Sequence, residues 1–170
     1  MEIRIVYDSA FGHTETIARA MAEALVDRAT VRVVPVAEAT FDDHPDLLLV
    51  GGPTQRHRMS PALDARLGRL PRRGLSGLPA AAFDTRYRMA RILSGSAAVA
   101  ASRQLERAGC RLVAAPESFF VERDQPPKGE RRRHAIEALE PGERERAAAW
   151  ALGLLESFVR PPDGRVPQAR

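Results

Sequence analysis

Apolar runs of strand length alternate with helical repeats along almost the whole chain, and this alternation restricts the possible folds more than any other feature. The predicted strands are Ile3 to Tyr7, Val31 to Val36, Leu47 to Val50, Pro79 to Phe83, and Arg111 to Val121 with an interruption or bend around Pro116. The predicted helices are Thr14 to Arg28, Pro61 to about Leu70, a segment from near Ser94 to Gly109, and Pro141 to Phe158. Strands that alternate with helices indicate parallel βαβ units with right-handed crossovers. The predicted fold class is therefore α/β, a three-layer sandwich in which helices cover both faces of a five-stranded parallel sheet in the order 2-1-3-4-5.

The length and composition predict a single domain. A chain of 170 residues and 18.7 kDa, with 44% hydrophobic and 28% charged residues, can bury one sizeable core. Residues 1–158 carry the alternating pattern, whereas residues 159–170 contain prolines, lack periodicity and are predicted to form a flexible C-terminal tail. No apolar run approaches the ~20 residues of a membrane span and no export signal is visible, so we expect a cytoplasmic protein without a membrane role.

The cysteine, histidine and tryptophan residues do not predict a disulfide or a metal site. Cys110 is the single cysteine, cannot form an internal disulfide, and is predicted to be a small residue near the start of a strand. The four histidines show no spacing typical of metal ligands, so no metal site is predicted. Trp150 is predicted to pack from the last helix into the core. No catalytic acid, base or nucleophile is predicted.

The turn after the first strand has the composition of a phosphate-binding loop. Asp8-Ser9-Ala10-Phe11-Gly12-His13-Thr14 leads directly from the strand into a helix. Such a turn directs backbone N–H groups and the positive end of the helix dipole at one point, and Ser9, Thr14 and Thr16 add hydroxyl donors. In the order 2-1-3-4-5 this turn lies where the strand order reverses, near the turns Gly51 to Ser60 and Asp84 to Leu93. The three turns are therefore predicted to form one ligand site.

Four segments resemble the corresponding segments of flavodoxin-domain proteins, in the same order and at compatible spacings. They are Tyr7-Asp8-Ser9-Ala10-Phe11-Gly12-His13-Thr14-Glu15, Gly51-Gly52-Pro53-Thr54, Phe83-Asp84-Thr85-Arg86 and Pro116-Glu117-Ser118-Phe119-Phe120-Val121. The resemblance extends from about Met1 to Leu155. It implies a flavodoxin-like fold, non-covalent binding of flavin mononucleotide (FMN), and electron transfer, in which the cofactor carries the redox chemistry.

The resemblance also implies which residues contact FMN. The phosphate-loop positions would be Ser9, Gly12, His13 and Thr14, with backbone N–H groups from Ala10 and Phe11. One side of the flavin ring would be lined by Pro53, Thr54, Gln55, Arg56 and His57, and the other by Asp84, Thr85, Arg86 and Tyr87.

The chain departs from the flavodoxin pattern in its phosphate loop and around the ring. Phe11 stands where many flavodoxins have a third hydroxyl residue, so one hydrogen bond to the phosphate, worth about 1–3 kcal/mol, is missing, and His13 is the candidate replacement. The second turn contains no Trp or Tyr, which leaves Tyr87 as the candidate aromatic contact.

Charge is the larger departure, because flavodoxins that carry low-potential electrons are typically acidic near the cofactor. The two turns beside the ring here carry the cationic or titratable residues Arg56, His57, Arg58, Arg86, Arg88 and Arg91. Since cations stabilise a developing anion, the sequence predicts a flavin that is more easily reduced than in acidic flavodoxins. A basic surface around the site also predicts an acidic redox partner.

Two other functions are compatible with the same residues. An FMN-dependent reductase would oxidise NAD(P)H and reduce a quinone-like or other small-molecule acceptor, although the chain has no second dinucleotide motif. A flavin-free interaction module would use the same fold without a cofactor. A phosphoacceptor receiver domain is disfavoured because the third strand ends in Gly51-Gly52 rather than aspartate. Nucleic-acid binding is not predicted, because 26 basic residues are interspersed with 22 acidic ones.

Overall fold

The computed structural model describes residues 1–90, 95–122 and 139–159. The strands are β1 (Glu2–Tyr7), β2 (Thr30–Pro35), β3 (Leu47–Pro53), β4 (Pro79–Tyr87), β5 (Arg111–Leu112) and β6 (Glu117–Val121). The helices are α1 (His13–Leu25), α2 (Pro61–Gly68), α3 (Ala97–Arg107) and α4 (Glu143–Val159). Nearly all of the predicted tail, at 160–170, and much of the charged loop after β6, at 123–138, lie outside the described residues.

The strands form one parallel sheet in the order β2-β1-β3-β4, and both β5 and β6 pair with the outer side of β4. β5 and β6 are therefore two parts of one edge strand. Pro79 pairs with Arg111 and Phe83 with Glu117, so the edge strand uses six residues where β4 uses four. Pro116 lies in this interruption and has no backbone N–H to donate to a neighbouring strand. The predicted order 2-1-3-4-5 is confirmed, with its fifth strand divided.

Two hydrophobic cores lie on the two faces of the sheet. On one face, Ile17 and Met21 of α1 pack with Leu154 of α4 against the sheet. On the other face, Leu63 of α2 and Leu105 of α3 fill the second core. The central strand β3 contributes buried residues to both cores, which explains its continuous apolar sequence. No helix among the described residues is long and apolar enough to cross a bilayer.

The structure corrects the predicted end of the fourth strand. We predicted that it would end at Phe83, but β4 continues to Tyr87. Its last residues remain in the sheet because Asp84 to Tyr87 pair in register with Ser118 to Val121 of β6. The polar segment that was predicted to begin the third turn therefore lies mostly within the sheet.

Smaller differences concern the helix ends. α1 ends at Leu25 rather than Arg28 and is followed by a turn in which the N–H groups of Arg28 and Ala29 donate to the Leu25 carbonyl. The predicted cap of α2 is present, since the Ser60 hydroxyl accepts a hydrogen bond from the Leu63 N–H at 3.4 Å.

Candidate functional site

The predicted phosphate loop connects β1 to α1 at the carboxyl edge of the sheet. The Asp8 N–H donates to the Gly51 carbonyl at 3.0 Å and so ties the start of the loop to β3. Gly12 precedes α1 with φ of +88° and, as a glycine, provides no side chain to cap the helix. The Ser9 hydroxyl accepts a long hydrogen bond, 3.4 Å, from the Glu15 N–H. The first turn of α1 therefore presents backbone N–H groups at the loop, with one hydroxyl beside them.

Two threonines join this loop to β4. The hydroxyl oxygens of Thr14 and Thr85 lie 2.8 Å apart, and the two residues are only 1% and 4% exposed. Each hydroxyl has a single proton to donate. Thr14 can therefore donate to a ligand only while Thr85 donates to Thr14.

The other hydroxyl predicted for this loop is used within the helix. Thr16 donates its hydroxyl proton to the Gly12 carbonyl at 3.0 Å, so it is not a ligand donor in this arrangement, contrary to our expectation. Phe11 is 55% exposed, and its ring centroid lies 6.4 Å from that of His13. The aromatic side chain thus lies on the surface of the loop and leaves the loop's interior to the backbone.

Asp84 lies at the centre of a buried polar network rather than on a ligand surface. Its side chain is 0% exposed, and Oδ2 accepts hydrogen bonds from the Thr54 hydroxyl at 2.9 Å, the Ser96 hydroxyl at 2.6 Å and the Ala98 N–H at 3.0 Å. The Thr54 hydroxyl also accepts from the Ala97 N–H at 2.8 Å. Asp84 and Thr54 therefore fasten the end of β3 and the start of α3 to β4, and Asp84 cannot contact a flavin ring in this conformation.

The second predicted turn contains a tight hairpin that contacts the start of α3. Gln55 and Arg58 exchange two backbone hydrogen bonds of 2.8 and 2.9 Å, and the residues between them, Arg56 and His57, have φ of +45° and +71°. These values are those of a type I′ turn, a conformation that usually requires glycine or asparagine. His57 pairs with Gly95, where an added Cβ would lie 2.3 Å from the His57 carbonyl oxygen. The side chains of Arg56, His57 and Arg58 are exposed.

Two of the arginines predicted beside the ring are bound to other protein groups. Arg86 is buried and donates to the Ser118 hydroxyl at 3.1 Å and to the Met89 carbonyl at 2.7 Å. Arg88 donates to Oε2 of Glu140 at 2.6 and 2.9 Å and to Oε1 at 3.2 Å, and its guanidinium stacks over Phe120, 4.0 Å from the ring centroid. Their charge is therefore directed toward β6 and the start of α4. Arg91 lies outside the described residues.

The remaining predicted residues fall into exposed and structural groups. Tyr87 at the end of β4 is 38% exposed, as is Met89, which was not among the predicted site residues. Gly51 belongs to the core, because an added Cβ would lie 2.1 Å from the Phe83 ring. Trp150 packs edge-on against Phe83, with ring centroids 6.3 Å apart, which confirms its predicted role.

Cys110 and Ser96 have structural roles. Cys110 is buried as predicted, and burial raises the pKa of its thiol to about 11. Ser96 caps α3 through the Val99 N–H, and its position before an apolar helical segment could have predicted this cap. Its second bond, to Asp84, depends on tertiary structure.

In the described part of the chain, no group of three or more His, Cys, Asp or Glu side chains is arranged to hold a metal ion.

The fold is similar to that of many solved flavodoxins. Flavodoxin 2 from Bacillus cereus is 18% identical, with 93% of this chain and 100% of that chain covered at a TM-score of 0.70. A flavodoxin from Streptococcus pneumoniae TIGR4 is 16% identical, with 92% and 99% covered at a TM-score of 0.70. Rubredoxin oxygen:oxidoreductase from Desulfovibrio gigas is 19% identical over 91% of this chain but only 37% of its own, at a TM-score of 0.57.

No protein-family model matches the chain, and no curated protein matches it. The structural similarity nevertheless covers nearly all of this chain and nearly all of each flavodoxin. The chain therefore has the flavodoxin-like fold that its sequence resemblance predicted.

Proposed function

We propose that the chain binds FMN and acts as a flavodoxin-like electron-transfer protein. The observation that carries this proposal is the start of α1, which lies where the strand order reverses and begins after Gly12, a residue with no side chain to cap the helix. Gly12 adopts a left-handed φ there, which lets the chain turn directly into the helix. An anion at this point would accept hydrogen bonds from backbone N–H groups of the first helical turn and would be stabilised by the helix dipole. These features fit the phosphate end of FMN.

Side-chain hydroxyls and backbone N–H groups of the loop would together hold a phosphate. Ser9 can accept from the Glu15 N–H and still donate its own proton to a phosphate oxygen. Thr14 becomes a second donor when Thr85 donates to it. The exposed ring of Phe11 leaves its backbone N–H, with that of Ala10, to complete the cradle.

The flavin ring would be held by the exposed residues of the second and third turns. We propose His57 and Tyr87 as ring contacts, with Met89 as an additional apolar contact. Thr54 and Asp84 would support the ring contacts indirectly, because their buried hydrogen bonds hold the two turns in position. Bound FMN supplies the redox chemistry, and the residues of the chain bind and orient it.

The charge around the proposed ring site is less positive than the sequence suggested. Arg88 is paired with Glu140, and Arg86 is directed to Ser118, so the exposed cations that remain among the described residues of these turns are Arg56 and Arg58. We propose that the hairpin carrying them supplies the positive surface for an acidic redox partner.

The test begins with the absorption spectrum of the freshly purified protein. We expect the two visible bands of a flavin, and release of FMN on acid treatment. Protein freed of FMN should rebind it, and should bind riboflavin, which lacks the phosphate, far more weakly. Protein that is colourless and does not bind added FMN would contradict the proposal and favour the flavin-free interaction module. Oxidation of NADPH with a quinone, without a partner protein, would indicate the reductase.

A single substitution locates the phosphate. Ser9→Ala removes one hydrogen bond to a charged group, worth about 1.5–3 kcal/mol, so the Kd for FMN should rise about 10- to 150-fold. Ser157→Ala is the matched control, because Ser157 is exposed on α4 and donates only to the Gly153 carbonyl of its own helix. If both variants bind FMN as the parent protein does, the phosphate does not lie at the start of α1.

A further inference from the structure

A cleft lies at the end of the sheet where the parallel strands begin. The proposed flavin site lies at the opposite end, where the strands finish. Its volume is about 760 Å³, and its lining residues come from the connection before β4 and from the end of α3: Arg72, Arg73, Ser76, Arg103, Glu106, Arg107 and Gly109. These residues lie next to the first residues of β4 and β5, whereas the flavin turns follow the last residues of the strands. β4 has nine residues, so at ~3.3 Å per residue about 26 Å separates the two edges. The cleft is therefore distinct from the flavin site.

The arginines of this cleft have no carboxylate partners within the described part of the chain. Some exposed arginines elsewhere do have such partners: Arg28 lies 3.7 Å from Glu156, and Arg32 lies 3.6 Å from Glu2. The lining contains four arginines and one glutamate, a formal charge of +3. Guanidinium groups stay protonated at any pH at which the protein is folded. The cleft thus concentrates positive charge that the described residues do not neutralise.

Backbone contacts hold the two sides of the cleft together. The Arg73 N–H donates to the Arg107 carbonyl at 3.3 Å, and the Gly77 N–H donates to the Gly109 carbonyl at 2.9 Å. Gly109 has no room for a side chain, since an added Cβ would lie 3.0 Å from the Arg73 Cα. Arg73 itself has φ of +61°, a conformation that non-glycine residues keep only where the surrounding structure imposes it. The backbone segments that carry the cationic side chains are therefore held in a fixed arrangement.

We propose that this arginine cleft binds a small molecule that carries two or more linked phosphates. Each guanidinium can form a bidentate pair with phosphate oxygens, and several such pairs converge only on a ligand with dense negative charge. The volume lies within the range of small-molecule sites. An inorganic polyphosphate and a nucleotide share this chemistry. The site does not depend on FMN binding, because it lies at the other edge of the sheet.

The experiment is isothermal titration calorimetry of the full chain with tripolyphosphate and with ATP, at about 0.15 M salt to screen non-specific attraction. Arg103→Gln with Arg107→Gln should weaken tripolyphosphate binding at least 10-fold. Arg28→Gln with Arg32→Gln removes the same charge away from the cleft and should change binding less than 2-fold. All four side chains are exposed, and Arg72→Gln provides a milder cleft variant should the first pair destabilise the fold.

The outcomes of this experiment distinguish between the possible ligands and include results that would overturn the proposal. Tighter binding of ATP than of tripolyphosphate identifies a nucleotide, whereas equal binding identifies the phosphate chain alone, and both support the cleft. Equal losses in the two double variants would show general charge attraction and would overturn the proposal. Binding of polyglutamate without binding of either phosphate compound would indicate an acidic protein surface instead. Competition by FMN would place the phosphate compound at the start of α1 and would also overturn the cleft proposal. Failure of the protein to bind FMN would leave this test unaffected.

Discussion

Replacing Thr14 and Thr85 by valine, singly and together, tests the buried hydroxyl pair beneath the phosphate loop. Valine has the shape of threonine but cannot hydrogen-bond. With oxygens 2.8 Å apart and almost no exposure, each single variant leaves the other hydroxyl buried without its partner. That costs about 1–3 kcal/mol, whereas the double variant removes both polar groups and should cost no more than about 1 kcal/mol. Taking 2 kcal/mol for each single change, the coupling energy is about 3 kcal/mol, at the upper end of values for residues in contact.

Urea unfolding of the FMN-free protein measures these free energies, with Trp150 as the fluorescent probe. Trp150 is the only tryptophan and packs against Phe83 and Phe119, so its emission should change on unfolding. Thr30→Val is the control, because Thr30 is exposed on β2 and its effect should add to that of Thr85→Val within about 0.5 kcal/mol. Additive costs for Thr14→Val and Thr85→Val would refute the pairing.

Two further predictions concern the pH dependence of stability and the core. Arg4 holds the pKa of the Asp43 carboxyl at about 2, below its usual 3.8, so this ion pair stabilises the fold above pH 3.8 and loses its effect as the pH falls through 2. Asp43→Asn should therefore be less stable than the parent at pH 6, and acid unfolding should show the two converging near pH 2; a constant difference at both pH values would contradict this. Gly51→Ala should cost about 1–3 kcal/mol or more, because the new Cβ would overlap the Phe83 ring, and Phe83→Leu in the same chain should recover part of that loss in urea unfolding. An undiminished loss in the double variant would show that the ring is not the obstacle.

Local patterns were sufficient for the elements and their order. Apolar runs and helical repeats are properties of neighbouring residues, and parallel βαβ units with right-handed crossovers leave few arrangements of five strands. The phosphate loop was also visible, because Ser9 and Gly12 lie three positions apart within one short segment. Prediction failed at β4, where Asp84 to Tyr87 have the composition of a loop but pair with β6. Composition describes a segment by itself, whereas strand pairing depends on a second segment about thirty positions away.

By itself, the sequence determined the fold class, the strand order and the loop that leads into α1, since the elements follow from short stretches of chain and right-handed parallel βαβ units restrict their order. Only the tertiary structure decided the partners of the polar side chains. Thr14 meets Thr85 across 71 positions, and Arg88 meets Glu140 across 52. Such pairs follow from how the helices, strands and connections pack in space, which no short stretch of sequence specifies. For the same reason Asp84 became a buried anchor instead of a ring contact, and four arginines from one connection and one helix came to line one cleft.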